Sequence, residues 1–290
     1  MTQTHIMAAK ERRGRTIRKV TGRVIIHMIL LAGACLYLFP FFWMLSTSLK
    51  APTEVMKNPP IWIPAIPQWG NYPQALSYFP FVRYLFNTLF IVCMNMIGTM
   101  FSSSLVGYSF ARLRWPGRDI WFGVLIATMM LPGAVTMIPQ FIMYRNFGWL
   151  NSYLPLIVPA FTGSAFNIFL LRQFFRTIPM DLSESAKIDG CPEYRIFLQI
   201  VLPLCSPALA TVAIFSFMGS WNDFIGPLLY INEKMKYTLT FGLRTFQMQS
   251  NTRWYLMMAA SIVVALPTLA VFFSCQKYFI EGITLTGMKG

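Results

Sequence analysis

The chain has 290 residues, of which 56% are hydrophobic and only 12% charged, with a net charge of +14 and a mean hydropathy of +0.53. Soluble domains carry about 25% charged residues, so this composition excludes a soluble enzyme or binding module and leaves a polytopic membrane protein. A basic excess is also the footprint of nucleic-acid binding. Here Lys and Arg gather beside apolar stretches with no nucleic-acid-reading motif, which assigns them to membrane topology and gives no nucleic-acid partner.

A span needs about 20 mainly apolar residues to cross roughly 30 Å of hydrocarbon. The tail 1–23 holds seven basic residues, among them Arg12, Arg15 and Arg23, and has neither an apolar run nor a cleavage site, so it is not read as a removable signal. It leads into a first apolar stretch, 24–46. The connection 49–83 carries prolines at 59, 60, 64, 67, 73 and 80, which rule out one continuous helix. Its Trp62, Trp69, Tyr72 and Tyr78 suit a membrane interface; it reads equally as an interfacial cap or as a surface for a partner outside the membrane.

Apolar stretches 84–111 and 120–144 follow, joined by a basic turn at Pro116-Gly117. A fourth stretch, 146–171, leads to a charged region, 179–203. The fifth apolar run covers 196–222, with its span placed at about 204–228, and the sixth is 254–276. The membrane domain thus runs over 24–280. In the closing tail, 281–290, Gly282, Gly287 and Lys289 suit an extended contact strand, and a disordered end suits them equally. With the N-terminus inside, 16 of the 24 Lys and Arg fall on the cytoplasmic side, which places both termini there. Five scattered cysteines and two histidines give neither a disulfide framework nor a metal site.

The region 179–203 is an island of charge: Asp181, Glu184, Lys187, Asp189, Glu193 and Arg195 stand between two long uncharged stretches. Asp181 and Glu184 have the offset of a capping box, which predicts a short helix from about Leu182 to Asp189. Gly190 fits the left-handed residue after it, and Pro192 the first position of a second helix. That helix presents Ile196, Phe197, Ile200 and Val201 as an apolar face toward the bundle. Small Ser185 and Ala186, beside Glu184, Lys187 and Ile188, let another protein approach closely. A helix-turn-helix knob anchored by a span is suited to transmit a partner's motion.

Glu184-Ser185-Ala186, Gly190, Ile200, Leu202 and Pro203 resemble, at matching spacing, the E-A-A-x(3)-G-x(9)-I-x-L-P signature of permeases in binding-protein-dependent ABC importers; Ser185 stands where the family has alanine. NYPQALSYFPFVRYLFNT, YSFARLRWPGR, GWLNSYLPLIVP, FLLRQFFRTIP and SWNDFIGPLLY resemble the carbohydrate-uptake branch, in particular the smaller maltose-type permease. The resemblance implies an all-α, six-span subunit of the type I importer permease fold in the bacterial inner membrane. It further implies a second permease, two ATPases that bind ATP and Mg, and an extracytoplasmic solute-binding protein. The island is then the coupling helix, with Glu184, Ser185, Ala186, Ile188, Asp189, Gly190 and Pro192 at the ATPase contact. The tail 281–290 also reaches the ATPases in that family.

The chain itself has no G-x-x-x-x-G-K-[ST] phosphate loop, so ATP hydrolysis belongs to another subunit. An intramembrane enzyme lacks H-E-x-x-H, a G-x-S-x-G elbow and an acid pair within spans. An ion-coupled transporter usually shows internal repeats and has no use for the charged island. For the substrate pathway the candidates are Trp221, Asn222 and Asp223, which offer a sugar an aromatic face and hydrogen-bonding groups, together with Asn87. The other polar positions in the spans, such as Asn95 and Ser102, read as links between helices. A non-sugar solute is the alternative cargo.

Overall fold

The computed structural model describes residues 2–247 and 253–287, with side chains over 21–247 and 253–276. The described residues form helices and turns without strands. Four helical segments are long and apolar enough to cross a membrane: Thr21–Ser48, Phe81–Arg112, Leu154–Thr177 and Trp254–Gln276. Two further spans are bent pairs, Arg118–Thr128 with Gly133–Asn146 at 97° and Glu193–Leu204 with Ser206–Trp221 at 80°. We number these six segments in chain order as the first to sixth spans.

The breaks have local causes. The third stretch bends just before Gly133, where Pro132 holds extended backbone (φ −61°, ψ 135°) and supplies no amide. The fifth bends at Cys205, flanked by Pro203 and Pro207; before the break, Ile196–Val201 winds as a π-turn. The fourth helix starts at Leu154 rather than at 146, because the chain turns through Gly148 (φ 69°) and Asn151 (φ 58°) first. The fifth helix stops at Trp221, and Ile225–Tyr230 forms a separate short helix. The expected strand in the tail is not found: the sixth helix continues through Gly287, since nothing after Pro267 interrupts it, and Lys289 lies outside the described residues.

The chain forms two compact units. In the first, residues 1–72 with 254–259, the proline-rich connection folds back on the end of the first helix. Asn71 Nδ2 donates to the carbonyls of Ser48 and Lys50 at 2.8 and 3.0 Å, and Ser46 Oγ donates to the Trp62 carbonyl. Trp43 meets the edge of Trp62, ring centroids 5.5 Å apart, while Lys50 Nζ lies 4.0 Å over the Trp43 ring.

The second unit, residues 73–253 and 260–290, is built around the second span, which packs against both Ala165–Thr177 and Ser206–Trp221. Close approach needs small residues: a Cβ on Gly107 would stand 3.3 Å from both the Ile168 carbonyl oxygen and Leu171 Cβ. Polar groups link the second span to the fifth and to the turn Val158–Thr162 of the fourth, Asn95 Nδ2 to Ser220 Oγ at 2.8 Å and Ser102 Oγ to the Ala160 carbonyl at 2.9 Å.

Candidate functional site

The charged island folds as two short helical pieces joined at a tight turn. The first helix is Asp181–Ile188. The capping box does not form, because Met180 already has helical backbone (φ −67°, ψ −30°) and its carbonyl takes the amides of Ser183 and Glu184. Asp181 is therefore the first helical residue instead of the cap. Both acids still sit in the first turn, where the helix dipole favours negative charge.

The end of this helix matches expectation. Gly190 is left-handed (φ 77°), its amide bonds the Lys187 carbonyl at 3.0 Å, and the Cys191 amide bonds the Ala186 carbonyl at 2.9 Å. These are the paired bonds of a Schellman stop. Pro192 is the N-cap of the second piece, with extended backbone (φ −70°, ψ 151°), one position earlier than expected. Its carbonyl accepts from Arg195 and Ile196.

Burial divides the first helix into two faces. Asp181, Glu184, Ser185 and Ile188 are exposed at spacings of three and four, and Ile188 is 86% exposed, the highest of any large hydrophobic residue described. Among the described residues the Glu184 carboxylate has no hydrogen-bond or ion-pair partner. Ser183 and Ala186 turn inward, so Ala186 packs on the core rather than on the open face. That core contains Tyr108 of the second span, Leu171, Phe175 and Ile178 from the fourth, and Ile196, Phe197 and Val201 from the second piece. It fixes the knob to three spans.

Glu193 is the clamp that sequence reasoning missed. Its Oε1 accepts from Tyr108 Oη at 2.5 Å and its Oε2 pairs with Lys187 Nζ at 2.9 Å, so one carboxylate ties both pieces of the knob to the second span. Arg112, 6% exposed, does the same for the segment leading into the knob: its Nη2 donates to the Ile178 carbonyl at 2.6 Å and its Nη1 reaches Met180 Sδ at 2.7 Å. Lys187 and Glu193 lie six residues apart and were visible as opposite charges; nothing local points to Tyr108 or Arg112.

The four pathway candidates are not brought together. Trp221 is 1% exposed, stacks on Phe217 and donates to the Val264 carbonyl at 3.1 Å. Asp223 Oδ1 accepts from the Gly226 amide at 3.0 Å, closing its own turn. Asn87 donates to the carbonyls of Met235 and Tyr237, both at 2.9 Å, and so fastens the connection after the fifth span. Asn222 is exposed, with its amide turned back to the Met218 carbonyl at 2.9 Å.

Residues 103–284, which include the whole knob, match the family described as binding-protein-dependent transport system inner membrane component. The chain belongs to that family. Over 275 residues it is 33% identical to the arabinooligosaccharides transport system permease protein AraQ of Bacillus subtilis, covering 92% of this chain and 96% of that one. It is 32% identical over 270 residues to the sulfoquinovosyl glycerol transport system permease protein SmoH of Agrobacterium fabrum, covering 92% and 93%. In fold it matches a chain of a bacterial ABC transporter involved in the import of the polysaccharide alginate, with a TM-score of 0.80 and 23% identity over 90% of this chain and 97% of that one. The protein is accordingly a non-catalytic, membrane-spanning permease subunit of an ABC importer.

Proposed function

We propose that this permease forms half of the translocation pathway for a carbohydrate, and that its knob at 181–203 seats in a separate ATPase whose hydrolysis of ATP moves the spans. The reading of the cargo is supported by the two relatives named for transport of arabinooligosaccharides and of sulfoquinovosyl glycerol. A second permease completes the pathway and an extracytoplasmic binding protein delivers the solute. Both termini and the knob lie on the cytoplasmic side, in keeping with the distribution of Lys and Arg.

The observation that carries the coupling role is the outer face of Asp181–Ile188. A free carboxylate at Glu184, small Ser185 and the exposed aliphatic Ile188 form a stripe that the chain itself leaves uncovered, on a helix held rigid from behind by Glu193. A rigid support with an open mixed face suits recognition by another protein, since little order is lost on docking.

The test is a double variant, Glu184→Lys with Ile188→Asp, affinity-purified from membranes. It should lose the ATPase while retaining the second permease, and uptake should cease. Full retention of the ATPase with normal uptake would overturn the proposal.

A further inference from the structure

A cavity of about 580 Å³ opens where the second span ends, lined by Arg112, Arg114, Trp115, Ser183, Glu184 and Lys187 among others. Its charges are unbalanced. Three cations face one carboxylate, and Lys187 already pairs with Glu193. Arg112 is buried, yet all its bonds go to neutral acceptors, the Ile178 and Pro179 carbonyls and the Met180 thioether. Among the described residues neither Arg112 nor Arg114 pairs with a carboxylate. A buried cation without a counter-charge is an exception in folded proteins.

The hydrogen-bond inventory has the same gap. Arg112 Nε, Trp115 Nε1 and Ser183 Oγ are buried and unpartnered, and all three side chains line this cavity, two from the end of the second span and its turn and one from the first knob helix. Such groups are normally satisfied by protein, water or ligand. The Ser183 hydroxyl turns freely about its own bond and Trp115 is only half-buried, so small side-chain rotations bring their donors onto a bound group. Donors arriving from several directions suit the tetrahedral oxygens of phosphate better than the two coplanar oxygens of a carboxylate.

We propose that this cavity binds a phosphate-bearing anion, and that its source is the headgroup of an anionic phospholipid. The choice of leaflet rests on the cytoplasmic placement of the knob proposed above. The surroundings favour a lipid over free phosphate. The next turn along the chain presents Ile120 and Trp121, 74% and 61% exposed, beside a recess that shares Arg114 and Trp115 with the cavity. An acyl chain would lie along these residues while the headgroup occupies the basic cavity. Basic residues just cytoplasmic of a span attract anionic lipid, and Trp is enriched at that depth. The lipid would sit behind the docking face, between Arg112 and Ser183, and tie the knob's position to leaflet composition.

The chain, purified with its partner subunits, is placed in nanodiscs of phosphatidylcholine with and without phosphatidylglycerol, and retained lipid is read by native mass spectrometry. Phosphatidylglycerol should be retained over phosphatidylcholine, and Arg114→Gln should weaken that retention about tenfold. Arg114→Lys, which preserves the charge, should keep most of it. The ATPase should co-purify with all three proteins, which separates this site from docking. Loss of the ATPase from the wild type would sink the coupling role and leave lipid retention readable on the permease. Equal retention in Arg114→Gln, or no preference over phosphatidylcholine, overturns the proposal. Displacement of the lipid by inorganic phosphate at modest excess overturns the headgroup as the source.

Discussion

At its N-terminal end the second span is fastened mainly by neutral groups, with Arg83 Nε adding a longer bond of 3.4 Å to the Met235 carbonyl, and at its C-terminal end by charged ones. Asn87 donates to the Met235 and Tyr237 carbonyls, and Thr88 Oγ1 accepts from the Leu239 amide at 2.9 Å while donating to its own Tyr84 carbonyl at 2.8 Å. Tyr108, Glu193 and Lys187 make the other junction, in which the Glu193 and Lys187 side chains keep 35% and 50% of their exposure. Buried amide-to-carbonyl bonds answer weakly to salt and pH, and they hold a connection in one place. Partly exposed charged bonds answer to salt and pH and are adjustable, and around them the chain leaves a face uncovered. The first arrangement suits a fixed anchor, the second a joint that must receive force.

This contrast can be broken most sharply at Asn87. Asn87→Leu leaves the Tyr237 carbonyl without its donor and the Met235 carbonyl with only Arg83 Nε at 3.4 Å, at about 1–3 kcal/mol for a group left unsatisfied. The purified protein should show a large fall in its thermal midpoint, insensitive to added salt. A fall that disappears in high salt would erase the distinction between the two ends.

Within the charged junction the two bonds to Glu193 should differ. A hydrogen bond to an ionised group contributes about 1.5–3 kcal/mol, whereas an exposed ion pair contributes about 0.2–1 kcal/mol. Tyr108→Phe should therefore impair uptake and stability clearly more than Lys187→Met. The reverse order in a transport assay would mean that the ion pair, not the phenol, holds the knob.

Gly190→Val tests the turn itself. Nothing lies within 4 Å of a Cβ built there, so the substitution meets no clash, only the left-handed backbone. The expected cost is about 1–2 kcal/mol, the penalty of that conformation for an L-residue, and more for a β-branched side chain. Hydrogen exchange should accelerate at the Gly190 and Cys191 amides while the Phe81–Arg112 helix stays protected.

The smallest effect belongs to Glu233, in the connection that Asn87 fastens. Lys236, bonded to it at 2.7 Å, holds its carboxyl below the ordinary value. A depressed acid stabilises the fold above its unfolded pKa, near 4.3, and loses that contribution as pH falls through the folded value. Protection of residues 232–236 from hydrogen exchange, taken against the intrinsic exchange rate at each pH, should fall slightly at acid pH and not between pH 6 and 8; a fall in the neutral range would point to a different group.

The parts legible in the sequence were those written locally. Gly190 announces its turn because few other residues enter that conformation, and the charged island stands out against uncharged flanks. Contacts between distant residues left no such trace: Tyr108 and Glu193 are 85 residues apart, Asn87 and Met235 148 apart. Trp221, Asn222 and Asp223 were proposed for a sugar because an aromatic ring beside amide and carboxylate groups suits one. The same three residues serve equally well to bind a neighbouring helix and close a turn, which is how Trp221 and Asp223 are used. An apolar run also reads alike whether straight or bent. Pro132, Pro203 and Pro207 were the available signals for the bends, and the lack of charge over 147–153 did not make those residues helical.

The π-turn at Ile196–Val201 lies within the knob's second piece, between the turn at Gly190 and the break at Cys205. Winding of this kind accommodates one residue more than a regular helix would. Deleting any one of them would restore 3.6 residues per turn and swing the preceding segment by about 100° relative to all that follows. Ile196 and Phe197 could then no longer face the core while Ala208 and Val212 also did. The number of residues between Glu193 and Ser206 is thus a constraint in its own right, and this segment should accept many substitutions before it accepts a change in length.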